Sequence, residues 1–145
     1  MKIISPAFRD GERIPLQYTC KGQNISPPLN FTDVPKNARS LALIMHDPDA
    51  PLVDYVHWIV WEIPATTDSV AANSVPVGAV QGLNTYEENK YEGPCPPSGT
   101  HRYMFELYAL DTNLGLSPAT HREELLKAIQ GHVLEKHTLM GTLSA

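Results

Sequence analysis

The sequence predicts a mainly β fold, a sandwich or barrel with one helix packed on it late in the chain. Most apolar segments are short and end at Pro, Gly, Asn or Asp, the punctuation of strands joined by tight turns. Thirteen prolines are spread along the chain beside only nine glycines, which reads as many rigid turns and not as a disordered tail. A single stretch near the C-terminus keeps helical spacing, so strands do not alternate with helices as they would in βαβ units.

The elements are taken in chain order. Ser40 to His46 is almost continuously apolar and ends abruptly at Asp47-Pro48-Asp49, a buried strand running into a turn. Tyr55 to Ile63 reads as a second strand, central because both faces are apolar. Strict alternation puts Tyr55, His57, Ile59, Trp61 and Ile63 on one face and Val56, Trp58 and Val60 on the other. His101 to Leu110 is a third strand, with His101, Tyr103, Phe105, Leu107 and Ala109 pointing one way. Arg102 then faces away from His101 and suits an ion pair with Glu62, Glu106 or an Asp. Thr120-His121-Arg122-Glu123 fits a capping box at a helix start. Leu125, Leu126, Ile129 and Val133 supply the helix's apolar stripe, and Gly131 its stop. A last strand runs from about Glu135 to Leu143. His121, His132 and His137 fall in or near these last elements and read as surface residues.

A chain of 145 residues can enclose one hydrophobic core, and residues 1–145 are expected to form a single domain. The formal net charge of −5 argues against nucleic acid or an anionic membrane as the main partner, since both need a basic face. The N-terminal apolar run is too short for a signal peptide and no stretch is long enough for a transmembrane segment, so a cytoplasmic protein is expected. Cys20 and Cys95 stand alone, without CxxC or zinc-ribbon spacing. In a reducing compartment they are expected as free thiols, with a bridge between them the less favoured alternative.

The chemistry concentrates at His46-Asp47-Pro48-Asp49-Ala50-Pro51, two carboxylates held by two prolines at the end of a buried strand. Proline fixes its own φ and pushes the preceding residue toward extended conformations. Asp and Pro also serve in ordinary turns, so this segment alone does not make a site. Position adds to it. The chain reverses shortly after Pro51 and brings His57 back to the same sheet edge. His101 follows the stiff segment Gly93-Pro94-Cys95-Pro96-Pro97-Ser98-Gly99-Thr100; if its strand enters from that edge, Asp47, His57 and His101 converge, with Tyr103 one pleat deeper. A carboxylate beside an imidazole fixes its tautomer or favours its protonated form. Two such donors, a tyrosine hydroxyl and loop amides can encircle phosphate or carboxylate oxygens. Asp47 and Asp49 would repel a bare anion, so their expected duty is to brace the histidines and the loop.

Three stretches in this order, Asp47-Pro48-Asp49-Ala50-Pro51, then His57-Trp58, then Gly93 to Tyr103, resemble the signature of the phosphatidylethanolamine-binding protein (PEBP) family. The similarity is greatest to its short bacterial and archaeal branch, also called Raf-kinase-inhibitor-like, and Thr19 to Leu29 extends it over essentially the whole chain. The resemblance implies a β-sandwich of two sheets with a small anion pocket at one end. By matching position the ligand-binding residues are Asp47, Asp49, Pro51, His57, Gly93, Pro94, His101 and Tyr103. No cofactor, metal ligand or catalytic residue is assigned, and whether the chain has a catalytic activity stays open. The sequence departs from the branch at Val56, where an aromatic is expected beside the pocket, and at Leu143, where tyrosine is usual. Because the sequence runs only a little past the last expected strand, the C-terminal helix that borders the pocket in animal members is not expected here.

The functional expectation is a small anionic ligand, phosphate, carboxylate or a phosphorylated head group, in a protein that modulates a kinase or a protease. A homodimer stays open as an assembly state. Two other readings rank below it. A protease inhibitor would present an exposed loop, either 93–100 or 65–79. A metal-assisted hydrolase would use the Asp/His cluster, against which stand the lack of HExxH and the placement of Ser98 in Pro-Ser-Gly-Thr, not in a nucleophile elbow.

Overall fold

The structure is a computed structural model describing residues 1–145. In chain order its elements are β1 (Lys2–Ile4), a 3-10 turn (Leu16–Tyr18), β2 (Leu29–Thr32), β3 (Ser40–Asp47), β4 (Tyr55–Pro64), β5 (Ser69–Val70), β6 (Val80–Gln81), β7 (Thr100–Leu110), α1 (Arg122–Ile129) and β8 (Val133–Ser144). They form two antiparallel sheets, ordered β1-β2-β5 and β6-β4-β3-β7-β8. The fold is the β-sandwich with one late helix that the sequence predicts.

The larger sheet is covered on both faces, which is why β3 reads as an unbroken apolar run. Leu41, Leu43 and Met45 of β3 join Phe105 and Leu107 of β7 and Ile3, Leu29 and Phe31 of the small sheet in the main core. Ala42 and Ile44 face the other way and pack with Leu125 and Ile129 of α1. Regular alternation holds throughout β7, where Tyr103, Phe105, Leu107 and Ala109 lie in the main core and Tyr108 and Leu110 under the helix.

Strict alternation fails in β4. Trp58, Val60 and Ile63 enter the main core, whereas Val56, Ile59 and Trp61 pack on the helix side. The cause is two bulges. Opposite Met45 and His46 the register passes from Trp58 to Val56, leaving His57 as an extra residue. Opposite Leu41 and Leu43 it passes from Ile63 to Val60, and Glu62 there takes a left-handed φ of 54°. Each bulge inserts one residue and reverses the facing of the strand beyond it. The first carries His57 to the sheet edge beside Asp47 and away from Ile59 and Trp61.

Two boundaries shift. The helix cap is His121, whose backbone N–H donates to Glu124 Oε1 at 3.2 Å. Thr120 belongs to the preceding turn, donating to the Ser117 carbonyl and accepting from the Leu83 amide. Val133 opens β8 and is not the end of the helical stripe, because the helix stops at Ile129 and Gly131 turns at φ 82°.

The free thiols expected of Cys20 and Cys95 are corrected by a disulfide between them, with Cα atoms 5.5 Å apart. Neighbouring contacts place the two segments together. Cys20 N–H donates to the Pro94 carbonyl at 3.1 Å, Gly93 N–H to Asn24 Oδ1 at 2.8 Å, and the Tyr91 hydroxyl to the Tyr18 carbonyl at 2.7 Å. Pairing over 75 residues of sequence leaves no local signal.

Candidate functional site

Antiparallel pairing of β3 with both β4 and β7 brings the end of β3 and the starts of its two neighbours to one edge of the sheet. Asp47, His57 and His101 therefore meet there. Beside them is a cavity of about 330 Å³ lined by Asp47, Ala50, Pro51, Tyr55, His57, Tyr86, Glu92, Gly93, Cys95, Pro97, His101 and Tyr103.

Asp47 is buried, and the structure commits both its oxygens. Oδ2 accepts from His101 Nδ1 at 2.6 Å, and Oδ1 accepts from the Asp49 amide at 2.8 Å. The second bond closes the turn that the two prolines stiffen. His57 donates through Nδ1 to the Glu92 carbonyl. Burial holds its pKa down at about 4, against the upward pull of that carbonyl and of Asp47, so the ring is neutral near pH 7. Tyr55 packs against it, tilted by 46° with 4.5 Å between centroids, and Tyr103 meets it edge-on at 5.3 Å. Tyr103 is wholly buried and its hydroxyl has no hydrogen-bond partner in the protein. Burial, helped by the Asp47 charge, raises its pKa, so the hydroxyl keeps its proton.

Of the residues expected at the site, Asp47, Pro51, His57, Gly93, His101 and Tyr103 line the cavity. Asp49 and Pro94 do not. Asp49 grips Arg102, accepting from its backbone amide at 2.9 Å and from Nε and Nη2 at 2.9 and 2.8 Å. Those bonds hold the Asp49 carboxyl well below the usual carboxylate range, at about 2. It braces the β7 start from outside and supplies the acidic partner expected for Arg102. The Pro94 carbonyl accepts from Cys20 and so fastens the cavity wall.

Sequence reasoning missed Ala50, Tyr55, Tyr86, Glu92, Cys95 and Pro97. Tyr55 was within reach, since it is two residues before His57. Tyr86 comes from a loop whose approach no spacing announces. The gap expected at Val56 is corrected: the bulge turns Val56 to the helix side, and Tyr55 supplies the aromatic wall.

A second polar cluster lies behind the site. His46 Nδ1 meets Asp54 Oδ1 at 2.8 Å and its Nε2 meets Glu106 Oε2 at 3.4 Å. Lys136 joins Glu106 at 3.2 Å and Arg122 of α1 joins Asp54 at 3.1 Å. Burial alone would lower the pKa of His46, but the two carboxylates outweigh it and raise it.

The same fold and chain length recur among known proteins. A UPF0098 protein of Methanothermobacter thermautotrophicus is 49% identical over 146 residues, covering 97% of each chain. One of Chlamydia pneumoniae is 48% identical over 147 residues, covering 98% of this chain and 97% of its own. A crystal structure from Chlamydia trachomatis, described as a putative PEBP homolog, superposes with TM-score 0.96 at 43% identity, covering 99% of this chain and 97% of the other. E. coli YbcL, described as a new member of the mammalian PEBP family, superposes with TM-score 0.93 at 27% identity, covering 99% and 98%. The family model described as phosphatidylethanolamine-binding protein matches residues 4–144. Matched in sequence almost end to end and in fold at both sheets, the chain belongs to the phosphatidylethanolamine-binding protein family.

Proposed function

We propose that this chain binds a small anion, a phosphate, a carboxylate or a phosphorylated head group, in the cavity at the β3, β4 and β7 ends. One observation carries the reading. Tyr103 presents a fully buried hydroxyl without a protein partner between two histidines that line the same cavity. A buried donor left unmade costs about 1–3 kcal/mol, and a ligand oxygen is what would satisfy it. Asp47 serves the anion indirectly, since its own oxygens are taken by His101 and the Asp49 amide. Modulation of a kinase or protease and assembly as a homodimer are the wider parts of this proposal; the Cys20–Cys95 bridge speaks against the reducing cytoplasmic setting expected from the sequence.

The alternatives draw less support. Within 93–100, Gly93, Pro94 and Pro96 are buried and Cys95 is tied into the disulfide, so that segment offers a protease cleft little beyond residues 97–100. No three His, Cys, Asp or Glu side chains are grouped to hold a metal ion, which gives the metal-assisted hydrolase no footing. Titration calorimetry with phosphate, acetate and phosphoethanolamine, on wild type and His101→Ala, tests the proposal. Binding by wild type and its loss in the variant is the expected result; no binding, or equal binding by both, rejects it.

A further inference from the structure

We propose that a second cavity, behind the wall of the first, is a binding site for a small carboxylate carried on a short apolar stem. It has a volume of about 280 Å³ and shares no lining residue with the first. Neighbouring residues divide the two. On β4, His57 lines the first cavity and Trp58 the second; along the segment 91–93, Glu92 and Gly93 line the first and Tyr91 the second. Asn24 completes the partition, accepting from the Gly93 amide on Oδ1 at 2.8 Å and donating through Nδ2 to Glu92 Oε1 at 3.4 Å.

The lining of the second cavity is one-sided in its hydrogen bonding. Trp58 Nε1 can only donate, and it holds Gln81 by Oε1 at 2.7 Å. The Gln81 amide is thereby fixed with Nε2, which carries two donors, turned away from Trp58 and bonded to no protein group. Ser26 is only 5% exposed. Its carbonyl accepts from the Asn73 amide at 2.9 Å, but its hydroxyl has no protein partner. Lys90 is the one cation of the lining, and no aspartate or glutamate lines the cavity. Glu88 lies 3.4 Å from Lys90, with both side chains about half-exposed, a pairing that solvent weakens and a ligand can displace.

A carboxylate answers this arrangement. Its two oxygens accept from Gln81 Nε2 and the Ser26 hydroxyl, and its charge complements Lys90. Ile25, Val75, Trp58 and Tyr91 give the same cavity an apolar side, where the two aromatic rings are fixed edge-on at 5.5 Å; a short hydrocarbon stem packs there. An ammonium head group sets donors against donors beside Lys90. A neutral amide keeps one acceptor and loses the charge.

Proton–nitrogen NMR reads the site at the assigned Trp58 indole N–H, which points at Gln81. Butyrate at pH 7 is expected to shift that resonance saturably, with a Kd at or below about 10 mM. The shift is expected on wild type and on His101→Ala alike, because His101 belongs to the other cavity. Butyramide and butylammonium are expected to bind at least about tenfold more weakly. Gln81→Glu keeps an acceptor for Trp58 and replaces the two donors by a second carboxylate oxygen. Its butyrate affinity is expected to fall at least about tenfold, with the Trp58 resonance of the free protein close to that of wild type. Ser26→Ala removes the other donor without touching Trp58 and is expected to cost about threefold or more. A Trp58 resonance unmoved by about 50 mM butyrate, butyramide binding as tightly as butyrate, or unchanged affinity in both variants overturns the proposal. A shift lost in His101→Ala places the butyrate in the first cavity and overturns it as well. None of these outcomes bears on phosphate binding in the first cavity, which stands or falls by its own titration.

Discussion

At Tyr103, folding and binding pull apart. Its ring fills the main core, while its hydroxyl is buried without a partner, a cost the fold bears without return unless a ligand takes the proton's direction. Tyr103→Phe is therefore expected to unfold at the same or a higher urea concentration, by up to about 1 kcal/mol, while phosphate affinity falls about tenfold. A variant that is less stable and binds phosphate as wild type does would contradict this. The histidines separate in the same way by pH. His57 has a folded pKa below its unfolded value, so the unfolded chain takes up its proton first and stability declines as pH falls from about 6.5 toward 4. His46 has a raised pKa; its contribution is complete below the unfolded value and is lost as pH rises through the folded one. Urea unfolding of His46→Gln beside wild type across pH 5 to 9 should show a stability difference that is largest at the acid end and narrows with rising pH. A difference independent of pH would remove the ion pairs with Asp54 and Glu106 from the account.

At the scale of elements, the cavity wall from Glu92 to Cys95 is a strap tied to the segment that carries Tyr18, Cys20 and Asn24. Gly93 sits where no Cβ fits: an added carbon would lie 2.2 Å from Asn24 Oδ1 and 2.7 Å from the Tyr18 carbonyl oxygen. Gly93→Ala should cost about 1–3 kcal/mol of stability and weaken anion binding, both readable from one purified variant; retained stability with full affinity would mean the strap yields freely. The elements also show what a sequence makes legible. β7 was readable to its last side chain because its alternation is unbroken. β4 was readable as a central strand, but its faces were not, since the bulges at His57 and Glu62 arise from pairing with β3 and leave no trace in a two-residue period. The helix was found and its cap displaced by one residue, because Thr120 and His121 each stand three residues before a glutamate and only tertiary contacts decide between them. Asp47, His57, His101 and Tyr103 were legible as strand-end residues, whereas Tyr86 reaches the cavity through a loop that only the folded chain positions.

Across the whole molecule the site is the place where the sandwich is tied shut. The large sheet delivers Asp47, His57 and His101 to one edge, and the Cys20–Cys95 bridge fixes the wall that faces them. A crosslink over 75 residues restricts the unfolded chain by about 4 kcal/mol in the loop-entropy view. Replacing both cysteines by serine should lower unfolding stability by about 2–4 kcal/mol and slacken the strap, so that phosphate affinity falls as well; unchanged stability in urea would show the bridge to be dispensable. The central claim, that this edge of the sandwich seats an anion, is tested most directly by a crystal structure grown in phosphate. The account predicts an ordered phosphate within hydrogen-bond distance of the Tyr103 hydroxyl and of the Nε2 atoms of His57 and His101. Phosphate bound elsewhere, with this cavity holding only solvent, would contradict it.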